Sequence, residues 1–153
     1  VSDFVVSVIP TDPRWQPAPE AADACADLLR ALLYPEEPDP EVEIGWYDRV
    51  AIVHPHENLQ HVTCPRCGRE ISDWFDGLAE EAEERQGLTE LEATVPCCGA
   101  RIPLTGLRHD WPCGFARFEI AAWNPERQPL SGADLTALGE ALGHAVRQIE
   151  AHI

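Results

Sequence analysis

Apolar and polar positions along the chain change period several times, and each change predicts an element. Phe4 to Ile9 (FVVSVI) is a β-branched run ended by Pro10, the pattern of a buried strand. The proline-rich segment 10–19 reads as a loop. Pro19 and Glu20 open a helix, where a first-turn proline costs little because its missing N–H would have no intrahelical partner. Ala21, Cys25, Leu28 and Leu32 recur at helical spacing and give that helix one apolar face, with Cys25 in the core. Pro35 stops it. VEIGWY and VAIV, within Val42–Val53, are two candidate strands with Asp48-Arg49 between them, although neither Asn-Gly nor Asp-Gly marks a hairpin.

Beyond His54-Pro55-His56 the pattern changes again. Ser72 is placed to cap a helix that runs through WFDGLAEEAEERQ and stops at Gly87. Trp74, Phe75 and Leu78 form its apolar face, and Glu80, Glu81, Glu83 and Glu84 its solvated one. Leu91 to Val95 predicts a strand, Arg101 to Leu104 a short return strand, and Phe115 to Trp123 a longer strand ended by Asn124-Pro125. Ser131 to Asp134 resembles a capping box. Leu135, Leu138, Leu142, Val146, Ile149 and Ile153 then predict one long helix to the end of the chain, with Gly139 and Gly143 weakening it unless another element packs closely there. This order predicts an α+β fold: an antiparallel or mixed sheet with packed helices, in a ferredoxin-like topology, with an inserted lobe at about residues 58–118.

The length, 153 residues, suits one domain. The charge is less ordinary: 27 acidic residues against 11 basic ones, all Arg, give −16. Such a charge repels a phosphate backbone and suits a basic partner. No segment approaches the roughly 20 apolar residues of a membrane helix, and the N-terminal segment lacks the marks of a signal peptide. A cytoplasmic location is therefore expected. In that compartment six cysteines are more often reduced, metal-bound or catalytic than paired in disulfides.

Cys64-Pro65-Arg66-Cys67-Gly68 is the sharpest local signal. Two cysteines at that spacing can place both thiolates on one metal, and the glycine lets the backbone turn toward the sulfurs. Pro96-Cys97-Cys98-Gly99 supplies a second pair. Four soft thiolates select zinc, with iron as the alternative. These two segments, and only these, resemble the zinc-ribbon and treble-clef class of zinc knuckles. The resemblance implies a structural zinc on Cys64, Cys67, Cys97 and Cys98. The second pair departs from the class because its cysteines are adjacent, so Cys113, His109 or His61 stands as a replacement for Cys97 or Cys98.

Two other readings concern the CxxC pair. A thioredoxin-like redox pair sits at a helix N-terminus, whereas here Gly68 follows at once and the helix begins near Ser72. Plain reduced core cysteines leave the flanking prolines and glycines unexplained. No HExxH helix, nucleophile elbow, phosphate-binding loop or GxGxxG is present. The expected function is a non-catalytic, zinc-stabilised interaction or regulatory module that binds a protein partner, as a monomer or homodimer. A nucleic-acid-binding zinc ribbon and a metalloenzyme or thiol-redox protein are the alternatives. Arg66, Arg69 and Arg101 near the knuckles, with Trp15 and Trp111 on proline-bearing loops, are the candidate partner-binding residues.

Overall fold

A computed structural model describes residues 2–153. The main sheet has four strands, β1 (Phe4–Pro10), β2 (Val42–Val53), β7 (Gly114–Trp123) and β8 (Val146–His152), in the spatial order β2-β7-β1-β8. Every neighbouring pair is antiparallel. Helix α1 (Pro19–Leu33) connects β1 to β2, and α3 (Gly132–Leu142) connects β7 to β8. Two βαβ units are thus interleaved, each with a strand of the other between its own two, the order of a split β-α-β arrangement. The fold is α+β, as expected.

The main core lies between one sheet face and the two helices. Val6 and Val8 from β1 and Phe118, Ile120 and Ala122 from β7 meet Ala22, Cys25, Ala26 and Leu29 of α1 and Leu138 and Leu142 of α3. The buried stripe of α1 runs through Ala22, Cys25, Ala26, Leu29 and Leu33, one residue on from the predicted Ala21, Leu28 and Leu32, which pack at its margins. Both phases fit a helical period, and the sheet decides between them. Cys25 is fully buried, and burial pushes its thiol up to about 11.

Two expectations are corrected here. The last helix ends at Leu142, not at Ile153. Gly143 takes a left-handed conformation (φ 92°), and both its N–H and that of His144 donate to the Gly139 carbonyl. The chain folds back so closely that a Cβ on Gly139 would lie 3.1 Å from the His144 carbonyl oxygen. The two glycines are a stop signal, and Val146 to His152 forms the edge strand β8 along β1. Ser131 does form the capping box with Asp134. Second, VEIGWY and VAIV are not two strands but the two halves of one, β2. Both halves of β2 pair with β7, and the four residues Tyr47–Val50 bulge out between Trp46↔Phe118 and Ala51↔Ala116.

Between β2 and β7 the chain leaves the sheet and returns, Val53 pairing with Gly114. The inserted segment holds the two-residue strands β3 (Val62–Thr63) and β6 (Arg108–His109), helix α2 (Ser72–Glu84), the hairpin β4 (Glu92–Thr94) and β5 (Arg101–Pro103), and a 3₁₀ turn at Leu104–Gly106. Phe75 of α2 packs at the centre of its own cluster with Val62, Val95, Ile102, Leu104 and Phe115. Ser72 does not cap α2. Ile71 is the residue before the first turn, and the Ser72 hydroxyl accepts from the Val62 N–H at 2.9 Å, tying the helix to β3.

His54, at the end of β2, and His109 are held below the ordinary histidine value of 6.5, chiefly by burial; His56 lowers the first further and Arg147 the second. Folding therefore favours neutral imidazoles, and their contribution to stability is complete above 6.5. It is lost as the pH falls from there toward the depressed folded values, because the unfolded chain takes up protons first. Urea unfolding between about pH 7.5 and about pH 5 should show a shallower loss of stability in the double variant His54→Gln/His109→Gln than in the parent.

Candidate metal centre

Each cysteine pair sits at the tip of a small hairpin. In the first, the Cys64 N–H donates to the Arg69 carbonyl (2.9 Å), the Gly68 N–H to the Cys64 carbonyl (3.0 Å), and the Ile71 N–H to the Val62 carbonyl (2.8 Å). In the second, the Val95 N–H donates to the Ala100 carbonyl (2.9 Å) and the Gly99 N–H to the Val95 carbonyl (3.0 Å). Thr63 bridges Glu70 as Thr94 pairs with Arg101. Gly68 and Gly99 both occupy the left-handed region, at φ 78° and 72°, where a side chain is strained.

The two turns are the same turn, and their bonds set the correspondence. Thr63-Cys64-Pro65-Arg66-Cys67-Gly68 matches Thr94-Val95-Pro96-Cys97-Cys98-Gly99. Cys67 and Cys98 are equivalent. The position of Cys64 is held by Val95, buried like Cys64 itself. The remaining sulfur comes from Cys97, at the position of Arg66. Adjacent cysteines thus serve because the second turn takes its first sulfur from two residues further along. The repeated Thr and Pro were a visible sign of this duplication, but the register depends on hydrogen bonds that no spacing shows.

The four sulfurs converge. One Sγ from each of Cys64, Cys67, Cys97 and Cys98 lies within 4.8 Å of all the others, with Cys64 and Cys98 3.9 Å apart. Cys64 is fully buried, Cys97 partly so, and Cys67 and Cys98 face outward. Backbone N–H groups of Cys67 and Arg66 point at the Cys64 sulfur, the latter at 3.4 Å, and hold its thiol down at about 6. Burial and the three neighbouring sulfurs push Cys97 the other way. Four soft donors at these separations can hold a metal ion.

The alternative ligands lie outside this group. His61 pairs with Glu70, an exposed couple that raises the imidazole and lowers the carboxyl. His109 packs edge-on to Phe75 with ring centroids 5.1 Å apart, its Nε2 buried without a partner. Cys113 is buried beside the Val53 carbonyl, and burial raises its thiol to about 12.

The candidate partner-binding residues separate into two groups. Arg101 is held by Glu92 (3.1 Å) and Glu90 (3.0 Å). Trp111 donates its indole N–H to the Glu150 carbonyl at 3.0 Å, pinning its loop to β8. Trp15 lies against His144, the rings tilted by 34° with centroids 4.7 Å apart, and packs against the main core. Arg66 and Arg69 are exposed on the first knuckle and, among the described residues, pair with no carboxylate.

No protein-family model, no curated protein and no solved structure matches this chain.

The matched turns make a direct prediction. Cys97→Ser should weaken metal affinity by at least roughly 100-fold, more than loss of an outer partner costs a metal site. Adding Val95→Cys to that variant should recover most of the loss, because the new thiol stands where Cys64 stands in the first turn. Competition with a chromophoric chelator measures both, and a double variant no better than Cys97→Ser would refute the correspondence.

Proposed function

We propose that the four cysteines hold one structural zinc and that the chain is a non-catalytic interaction module, binding a protein partner through a surface the zinc helps to shape. The observation that carries this reading is the convergence of four thiols. Tetrahedral zinc at about 2.3 Å from each sulfur needs sulfurs about 3.8 Å apart; the Cys64 and Cys98 sulfurs stand 3.9 Å apart, and all four lie within 4.8 Å of one another. Four protein sulfurs fill the coordination sphere and leave no position for a reacting water, which is the mark of a structural site.

The inserted segment needs such a tie. Its strands are two or three residues long. Zinc binding to cysteine turns contributes about 10–16 kcal/mol in isolated zinc-finger peptides, free energy available only when the turns are formed. Four thiolates on Zn²⁺ leave a charge of −2, and the free Arg66 and Arg69 on the first knuckle offset it. That use of the arginines weakens the nucleic-acid reading, which also has to overcome the net charge of −16. Among the described residues no helix is long and apolar enough to cross a membrane. Cytoplasmic residence, where thiols stay reduced, suits the site.

Protein purified without added metal should carry about one zinc per chain by elemental analysis. The exposed thiols of Cys67 and Cys98 should resist a thiol reagent until a chelator is added, and chelation should unfold the insert while much of the main-sheet signal persists in circular dichroism. A metal-free protein with Cys64 and Cys67 in a reversible disulfide would replace this reading with the thiol-redox one.

A further inference from the structure

The face of the main sheet turned away from α1 and α3 has no layer of its own. Its floor is built from small residues, Ser7, Gly45, Ala121 and Ala151, with Tyr47 and Trp123 rising from it. This hollow measures about 480 Å³ and runs into a second of about 810 Å³ between β2 and α2; Tyr47, Ile52, His54, His56 and Glu83 line both. Together they form one cleft, floored by the sheet and walled by the helix of the insert.

Six carboxylates line the cleft: Glu43, Asp48, Asp76, Glu80, Glu83 and Glu119. No arginine lines it. Among the described residues none of the six has a cation within ion-pair distance. Glu119 is the most constrained. One carboxylate oxygen accepts from the Tyr47 hydroxyl at 2.7 Å and the other from the Ser7 hydroxyl at 2.5 Å. Ser7 is only 3% exposed, the one polar or charged residue so buried among the described residues. Two hydroxyls orient this carboxylate but leave its charge uncompensated in a partly buried site, where compensation is worth most.

The shape adds to the charge. Asp76, Glu80 and Glu83 are spaced four and three apart, so they share one face of α2 over about 10 Å. Alternate side chains of an extended peptide point the same way about 7 Å apart, so such a segment presents two residues to that stripe. Arg and Lys can lay their apolar stems on a floor of small residues and keep their charge at its edge.

We propose that this cleft docks an extended basic segment of a partner protein, one Arg or Lys reaching Glu119 and others lying along Asp76, Glu80 and Glu83. The inference rests on the interaction-module reading and deepens it by naming the surface and the chemistry of the partner.

The test uses the intact, metal-loaded protein and a fluorescein-labelled octapeptide of alternating Val and Arg, followed by fluorescence anisotropy. The peptide should bind, and its affinity should fall as salt is raised, while the matching Val-Glu peptide should not bind. Glu119→Gln alone, and Asp76→Asn/Glu80→Gln/Glu83→Gln together, should each weaken binding at least about tenfold. The control Glu20→Gln/Glu140→Gln, on the helices across the sheet, should leave it unchanged. Circular dichroism and metal content of each variant establish that it is folded. Absence of binding, equal weakening by the control, or a stable homodimer that excludes the peptide would overturn the proposal. Metal-loaded protein that ignores the peptide removes the cleft alone; metal-free protein that binds it removes the zinc reading alone.

Discussion

The inserted segment depends on one closure: Val53 at the end of β2 pairs with Gly114 at the start of β7. The space there admits nothing larger, since a Cβ on Gly114 would lie 2.7 Å from the Ile9 side chain and 2.9 Å from that of Ile149. Residues 54–113 therefore leave and re-enter the sheet at one point, on a stem packed by Ile9, Val53, Ala116 and Ile149. Three further bonds hold the stem from outside. Asn58 and Trp111 both donate to the Glu150 carbonyl, and Glu57 donates its N–H to the His152 carbonyl. The insert is thereby fixed to β8 as well as to β2 and β7, and α2 stands at a set distance from the sheet.

Two ties of different kind hold the insert together. At one end Phe75 and its neighbours exclude water, the ordinary means. At the other end there is too little apolar material, and the cysteine turns take over. Cys64 belongs to both, buried in the apolar cluster and contributing to the group of sulfurs. Proximity of the sulfurs needs both hairpins, and the hairpins reach each other only because Val62, Val95 and Ile102 pack on Phe75.

Much of this was legible in the chain. The strand at Phe4, the helices after Pro19 and Ser72 and the strand from Phe115 follow from period and punctuation, and the cysteine set from its flanking prolines and glycines. The failures have physical causes. Val146, Ile149 and Ile153 continue a helical spacing by coincidence, and only the sharp return at Gly143 shows that they belong to a strand. Tyr47 to Val50 could not be read as a bulge, because a bulge is defined by the partner strand. The phase of α1 was off by one residue because apolar residues flank both possible stripes. The acid-lined cleft draws its carboxylates from β2, α2 and β7, which are far apart in sequence; each looked like ordinary solvated charge until the fold gathered them.

The edge pairing of β1 with β8 has a mechanical consequence. Asp3 and Ile153 exchange both backbone hydrogen bonds, and Phe4 faces His152 in the next register. The two ends therefore lie side by side at the same end of the sheet. A force pulling them apart acts along the inter-strand bonds, which in an antiparallel pair run perpendicular to the strands, and loads them one after another instead of all at once. The sheet opens under such a force like a zipper, at β8, and the stem bonds to Glu150 and His152 are among the first to be released. Tension between the ends would thus free the insert before it disturbed the core beneath α1.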